Sequence, residues 1–145
     1  MNATPHGCVF VAKQDIDQTL ATPATAGKRL LEPLKMFATQ NKLPLNILED
    51  KEIENEAEIH EHEADLWYCL EGEVRFIVDG EMVEPFHRPK ADGSIDEREW
   101  KAKQIKNGQE IKLTVGDWLW IPAGQPHQHI CEGTARLAII KIPKT

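Results

Sequence analysis

Short apolar or alternating runs, separated by glycine, proline, asparagine and aspartate, set the pattern of this chain. Such runs occupy residues 9–11, 43–48, 66–70, 74–78, 111–115, 118–121 and 137–142. Alternation with a period of two, bounded by turn residues, is typical of strands that bury one face. Because helical periodicity is scarce, the pattern predicts an all-β fold, either a sandwich or a barrel.

Two segments depart from this rhythm. Residues 30–37 hold the one helix candidate, which requires Pro33 to lie in the first turn because proline breaks a helix interior. Residues from about 85 to 110 are mostly charged around Trp100 and hold too few apolar positions for a barrel wall. An insertion of this length is often a lid or a binding loop, and a solvated excursion or a dimer-contact arm is the alternative.

Composition narrows the class of protein. The chain has 145 residues, of which 41% are hydrophobic, so we expect one domain with its own core. Its formal charge of −7 argues against nucleic acid or an anionic membrane as a partner. No apolar run approaches the roughly 20 residues of a membrane helix, and we expect no secretory signal. Cys8, Cys69 and Cys131 form no Cys-x-x-Cys motif, which favours a reducing compartment, the cytoplasm.

Four of the six histidines form two His-x-His pairs, His60 with His62 and His127 with His129. Side chains two residues apart on a strand share a face and lie about 6.6 Å apart. Each pair can therefore present two imidazoles to one interior point, and imidazole is a common ligand of Zn, Fe, Ni and Cu. Two such pairs beside strand and turn signals indicate a metal site.

The surroundings of the two pairs resemble the two motifs of the cupin superfamily. The first family motif is His-x-His, three or four residues, glutamate, six residues and glycine, and here His60, His62 and Gly72 fit it. Asp65 stands in the glutamate position after only two intervening residues. The second family motif is glycine, five residues, Pro-x-Gly, two residues, histidine, three residues and asparagine. The residues that fit it at every spacing are Gly116, Pro122, Gly124 and His127, while Cys131 replaces the asparagine.

The resemblance covers roughly residues 53–142, about two thirds of the chain. It implies a double-stranded β-helix, or small jelly-roll barrel, with a metal inside its mouth. We expect residues 1–52 to form N-terminal strands and an arm that packs on the barrel. Residues 53–145 would then form the barrel itself, interrupted by the insertion at about 85–110.

The metal ligands implied by the resemblance are His60, His62 and His127, a facial set that leaves positions open for water and substrate. Asp65 is the fourth ligand that the resemblance implies. On a regular strand its side chain would face the side opposite to that of His62, unless a bulge or turn intervenes. A water-mediated contact from Asp65, a turn role for it, or a site of three histidines and water are the alternatives. The expected ion is one divalent transition metal, Fe(II) first, with Zn, Ni or Mn as alternatives.

His129 shares the face of His127 and is the candidate catalytic residue, as an acid or base beside the metal. A fourth imidazole ligand, a pocket-lining side chain and a partly exposed strand histidine are the other interpretations. Cys131 lies on the same face, where it is either a functional thiol or a small hydrophobe. The Glu-rich run at 49–63 is interpreted as a solvated approach to the barrel.

One fold hosts many functions, so the reaction is an expectation by analogy. The ligand set favours an O₂-dependent dioxygenase that acts on a small organic substrate. A non-redox cyclase, isomerase or lyase, in which the ion acts as a Lewis acid, is the alternative enzyme. A binding or sensing module without turnover is the third hypothesis. The expected partners are a small-molecule substrate and a second copy of the chain, paired through residues 9–11 and exposed tryptophans.

Overall fold

Strands make up most of the molecule. A computed structural model describes residues 1–145 and contains 55% strand and 11% helix, which confirms the all-β class. The helices are Lys13–Leu20 (α1) and Leu34–Asn41 (α2). The strands are Asn2–Ala3 (β1), Val9–Phe10 (β2), Gly27–Leu30 (β3), Leu45–Glu54 (β4), Ala57–His60 (β5), Glu63–Glu71 (β6), Glu73–Val78 (β7), Glu81–Met82 (β8), Phe86–Pro89 (β9), Ile95–Ala102 (β10), Ile105–Lys106 (β11), Gln109–Thr114 (β12), Trp118–Ile121 (β13) and His127–Pro143 (β14). Each apolar run of the sequence therefore overlaps a strand.

The 17-residue β14 is the centre of a 10-stranded sheet. Along one edge it pairs antiparallel with β7 near its start and with β6 further on. Along the other edge it pairs with β5 near its start and with β4 over most of its length. The register against β4 shifts between Cys131 and Thr134, where an irregularity lets the strand bend. The sheet curls around β14, so its inner face encloses a barrel interior.

Side chains at alternate positions of several strand segments fill that interior. On β6, Trp67 and Cys69 are buried while their neighbours are partly exposed, and on β14 Leu137 and Ile139 face inward in the same way. The main core cluster joins 12 buried side chains: Leu48, Trp67, Cys69, Val74, Phe76, Val78, Leu113, Ile121, Cys131, Ala135, Leu137 and Ile139. Cys131 belongs to this cluster, which favours its interpretation as a small hydrophobe over that of a functional thiol.

The N-terminal region contributes to the same sheet. β3 pairs with β4, and β4 pairs with β14, so strands that begin before residue 53 belong to the barrel wall. The helix candidate at 30–37 appears as α2, shifted toward the C-terminus because Leu30 lies in β3 and Pro33 directly precedes the helix. α1 was not expected, since Ile16 and Leu20 are its only large apolar residues. Neither eight-residue helix is long and apolar enough to cross a membrane.

The charged segment at 85–110 differs from the expected loop, because it folds into β9, β10 and β11. β10 pairs with β5 from Glu99 to Ala102 and with β9 on its other edge. The sequence pattern did not predict β10 as a strand because its side chains are mostly polar. In the structure these side chains form ion pairs across the sheet, such as Lys101 with Glu58 on β5. Trp100 stacks against His87 at a ring-centroid distance of 3.6 Å, which holds β9 on β10.

An exposed aromatic strip marks the outer surface at β13. Trp118 and Trp120 are 61% and 52% exposed, and the Trp118 ring lies 4.3 Å from that of Tyr68 on the neighbouring β6. β13 pairs with β6 and with no other strand, so its second edge is free. The homodimer stays a prediction, and this strip is the apolar surface that a second copy could cover.

We expect Gly72→Ala to destabilise the fold by roughly 3 kcal/mol or more, because it combines backbone strain with a backbone clash. Gly72 joins β6 to β7 with a φ of +70°, and a Cβ added there would lie 1.9 Å from the carbonyl oxygen of Thr134. Gly133→Ala is the matched control, since a Cβ at Gly133 meets nothing within 4 Å. Urea unfolding of the two variants measures the difference, and equal midpoints would contradict this account of the turn.

Candidate metal centre

Three strands bring a set of ligand-type side chains to one end of the barrel. β5 carries Glu58 and His60, β6 carries Asp65, and β14 carries His127. Register explains the convergence, because His127 lies opposite Glu58 and Asp65 lies opposite Lys141. The strand order thus places residues from distant parts of the sequence side by side. We call Glu58, His60, Asp65 and His127 the four-residue cluster.

The donor atoms of the four-residue cluster face one another. His60 Nε2 lies 3.3 Å from Glu58 Oε2 and 3.6 Å from Asp65 Oδ2. His127 Nε2 lies 3.8 Å from Glu58 Oε2 and 3.4 Å from Asp65 Oδ2. Ligands that each stand 2.0–2.2 Å from one tetrahedral ion are about 3.4 Å apart. These four separations fit ligands of one transition-metal ion, and Glu58, His60 and His127 form a group whose ligand atoms all lie within 4.8 Å of one another.

Both imidazoles present the same nitrogen to the cluster. His127 Nδ1 donates to the carbonyl oxygen of Gln125 at 3.2 Å, and His60 Nδ1 donates to the Glu99 carboxylate. The bond to Gln125 fixes the Nδ1–H tautomer of His127 and leaves its Nε2 lone pair without a partner, whereas His60 Nε2 lies beside both Glu58 and Lys141. Metal-binding histidines are commonly oriented through such a bond from the second ring nitrogen.

Two atoms of the cluster are buried without a hydrogen-bond partner, namely His127 Nε2 and Asp65 Oδ2. Their side chains are 2% and 1% exposed, so bulk water does not satisfy them. A buried polar atom without a partner costs about 1–3 kcal/mol. A cation bound between the two atoms would satisfy both. The two unpartnered atoms therefore show that these residues fit a metal ion.

Burial lowers the pKa of His127 to about 4, against the weaker opposing influence of Asp65. The ring is therefore neutral near pH 7, the form that binds a metal. Burial alone would raise the pKa of Glu58, but the hydrogen bond to His60 and the charges of Lys28 and Lys101 hold it far below its usual range. Glu58 is accordingly ionised and able to act as an anionic ligand.

Lys141 adds a positive charge at the edge of the cluster. Its Nζ donates to Asp65 Oδ1 at 2.7 Å and to His60 Nε2 at 3.2 Å. The side chain is 37% exposed, whereas that of Asp65 is 1% exposed. Since Lys141 holds Asp65 by one oxygen and leaves the other without a partner, it orients the carboxylate toward the cluster.

Of the residues selected from the sequence, the structure brings together His60, Asp65 and His127 and leaves His62 outside. His62 is exposed in the bend between β5 and β6, and it is not among the ligand-type side chains that lie together with His60 and His127. This bend interrupts the alternation of the strand, so Asp65 lies beside His60 in spite of the short spacing. Glu58 was missed, although it precedes His60 by two residues and shares its face of β5.

His129 lies deeper in the barrel, away from the four-residue cluster. It is 2% exposed, and its Nδ1 donates to the Asp50 carboxylate. The Asn55 side-chain amide lies 3.0 Å from the same nitrogen, and the ring packs between Trp67 and Phe76. The expectation of a solvated run at 49–63 is wrong at Glu49 and Asp50, which are both fully buried.

A cavity of about 650 Å³ connects these features. Glu58, His60 and Lys141 line it at the cluster, and Trp67 and His129 line it deeper in the barrel. The size is within the range of about 300–1,000 Å³ that is usual for small-molecule sites. The four-residue cluster therefore borders a space large enough for a small organic molecule.

No protein-family model and no curated protein matches this chain. Among solved structures, EutQ from Clostridium difficile is similar over 98% of this chain and 85% of that chain, with 15% identity and a TM-score of 0.50. Peruvianin-I, a cysteine peptidase from Thevetia peruviana latex, is similar over 99% of this chain and 76% of that chain, with 16% identity and a TM-score of 0.52. The Drosophila melanogaster CENP-C cupin domain is similar over 69% of this chain, with 17% identity and a TM-score of 0.43.

These similarities concern the fold. This chain spans 61% of the length of the CENP-C chain, and the two longer matches are both below 20% identity. The jelly-roll barrel expected from the two histidine motifs is confirmed. Activities named for the similar structures are properties of those proteins.

Proposed function

We propose that this chain, which has the fold of the cupin superfamily, is a metal-dependent enzyme acting on a small organic substrate. The observation that carries the proposal is the four-residue cluster, in which two buried atoms 3.4 Å apart lack a partner while Glu58 and His60 line a cavity. Glu58, His60 and His127 supply two imidazoles and one carboxylate, the set that non-haem Fe(II) oxygenases use, and Asp65 adds a second carboxylate beside them. An O₂-dependent dioxygenase holding one Fe(II) is therefore the proposed activity, with Zn, Ni or Mn as the alternative ions.

The roles of the residues follow from their contacts. Glu58, His60, Asp65 and His127 would hold the ion, and Glu99 and Gln125 orient the two imidazoles through their Nδ1 atoms. The bound ion would supply redox chemistry as Fe(II) or Lewis-acid chemistry as Zn(II). Lys141 holds Asp65 and presents a positive charge to the cavity. Leu48 and Ile139 form part of its wall, where they exclude water.

His129 favours a second candidate function, a non-redox cyclase, isomerase or lyase. Its Nδ1 is held by Asp50, so the other ring nitrogen, Nε2, is the atom that can exchange a proton with a molecule in the cavity. Asp50 is completely buried and fixes both the tautomer and the orientation of the ring. A histidine oriented by a carboxylate is the usual arrangement for a general acid or base.

Oxygen uptake separates the two candidate functions. We expect the Fe(II)-loaded protein to consume O₂ in the presence of a substrate from a panel of enols and catechols, and the Zn(II)-loaded protein to be inert, because zinc does not change oxidation state. Anaerobic turnover by the zinc form would instead support the non-redox enzyme. In that case His129→Gln should lower the rate by ~10²–10⁴ with metal content unchanged. Substrate binding without turnover by either form would contradict both enzymes and favour a sensing module.

A further inference from the structure

Basic side chains surround the cavity of an otherwise acidic protein. Of its lining residues, five are basic and three are acidic: Lys28, Arg29, Lys35, Arg88 and Lys141 against Glu58, Glu63 and Glu99. The whole chain carries a formal charge of −7. Glu49 and Asp65, which pair with Arg29 and Lys141 just behind the cavity wall, balance this count, so only a cation without a carboxylate partner can attract a small anion.

Two of these cations, Lys35 and Arg88, are free to bind a ligand. Lys28 pairs with Glu58, Arg29 with Glu49 and Lys141 with Asp65, whereas neither Lys35 nor Arg88 lies within 4.0 Å of a carboxylate oxygen. Lys35 lies on α2 and Arg88 on β9, so they approach the cavity from separate elements. Both are exposed, which places them at the mouth.

The Trp67 ring forms part of the wall of the same cavity. Trp67 is 3% exposed, and its Nε1–H has no accessible surface, so the part of the ring that meets the cavity is apolar. Phe76 and His129 hold the ring, at centroid distances of 5.2 and 5.3 Å. This wall suits the carbon skeleton of an organic molecule.

We propose that the cavity binds a small organic anion, a carboxylate or a phosphate monoester. Lys35 and Arg88 would contact the anionic group, and the Trp67 ring would pack against the carbon skeleton of the same molecule. This inference rests on the proposed function, because it identifies the substrate class of the cavity beside the four-residue cluster. Carboxylate and phosphate share the chemistry that guanidinium and ammonium groups recognise.

The test is calorimetric titration of the protein, purified without chelators, with two matched pairs of probes. Succinate is compared with its neutral diamide, and glycerol 3-phosphate with glycerol. We expect at least one anion to bind at least 10-fold more tightly than its neutral analogue, and its affinity to fall as ionic strength rises. Tighter binding of succinate identifies the anionic group as a carboxylate, and tighter binding of glycerol 3-phosphate identifies it as a phosphate.

Variants assign the binding to the named residues. Arg88→Gln and Lys35→Gln should each weaken binding of the anion roughly 10-fold, the effect of losing one charge-assisted hydrogen bond. Arg75→Gln and Lys112→Gln are the matched controls, since both side chains lie outside the cavity, and they should bind as the unmodified protein does. Circular dichroism verifies that each variant is folded.

Equal affinity for anions and neutral analogues, or anion binding unaffected by both Arg88→Gln and Lys35→Gln, would overturn the inference. Metal analysis of the same samples distinguishes this failure from failure of the proposed function. A protein that binds its metal but shows no preference for anions contradicts the substrate class alone. Charge-dependent anion binding by a protein unable to bind metal supports the anion site and contradicts the proposed enzyme.

Discussion

His127→Ala is expected to lower the affinity of the protein for Zn²⁺ by ~100-fold or more, since losing even a supporting contact of a metal site typically costs 10–100-fold. His127 is neutral near pH 7, its Nε2 is buried without a partner, and its ring is fixed by Gln125. The variant thus removes a preformed ligand. Zn²⁺ serves as the probe because its binding is followed by calorimetry without control of oxidation state.

His62→Ala is the discriminating control for His127→Ala. The cupin motif implies His62 as a ligand, whereas the structure leaves it exposed in the bend before β6. We expect His62→Ala to bind Zn²⁺ within about two-fold of the unmodified protein, and Glu58→Gln to show a clear loss. The reverse order, with His62 required and Glu58 dispensable, would contradict the four-residue cluster as the ligand set.

Glu49→Gln is expected to destabilise the fold by ~3–5 kcal/mol, because it leaves a buried arginine without its counter-ion. Glu49 is fully buried, and its Oε2 accepts from Arg136 Nε at 2.8 Å. Its Oε1 accepts from Arg29 Nε at 2.9 Å and from the backbone of Thr25 at 3.0 Å. Arg136 also donates to the carbonyl oxygens of Leu20 and Thr22. Guanidinium unfolding measures the loss.

The effect of Glu49→Gln should depend on pH in a defined direction. Burial alone raises the pKa of Glu49, but hydrogen bonds from Thr25, Arg29 and Arg136 outweigh it and hold the pKa below its usual range. A lowered pKa in the folded state stabilises the fold above the unfolded value of about 4.3. That contribution is lost as the pH falls through the lowered folded pKa.

The difference in unfolding free energy between Glu49→Gln and the unmodified protein should therefore have its largest value at pH 7 and decrease below about pH 4. Glu54→Gln is the matched control, since Glu54 is exposed on the same strand and should change stability by less than about 0.5 kcal/mol. Equal stability of the two variants at pH 7 would contradict the structural role of the Glu49–Arg136 pair.

The barrel strands could be predicted from the sequence because their one-sided burial imposes a period of two. Trp118–Ile121, for example, has the predicted limits. β10 could not be predicted in this way, since its polar side chains are matched by ion pairs with β5 across the sheet. Pairing of this kind depends on which strands become neighbours, and a local pattern does not contain that information.

The candidate site was only partly predictable for a similar reason. The two histidine motifs placed His60, His127 and Asp65 in one neighbourhood because cupin strands converge at the barrel mouth. The bend after His60 leaves the His62 side chain outside the four-residue cluster and places Asp65 inside it. The spacing of the residues does not fix where such a bend occurs. Glu58 is identified as a candidate ligand by the structure, because β5 ends at His60 and the two side chains share one face of that strand.

The central claim is that the four-residue cluster holds one divalent transition metal. Inductively coupled plasma mass spectrometry of the protein purified without chelators, followed by titration with Fe²⁺, Mn²⁺ and Zn²⁺, tests it most directly. The account predicts about one ion per chain, either as purified or after titration, and almost none in a His60→Ala/His127→Ala double variant. Failure to bind any of the three ions, or full occupancy in the double variant, would contradict it.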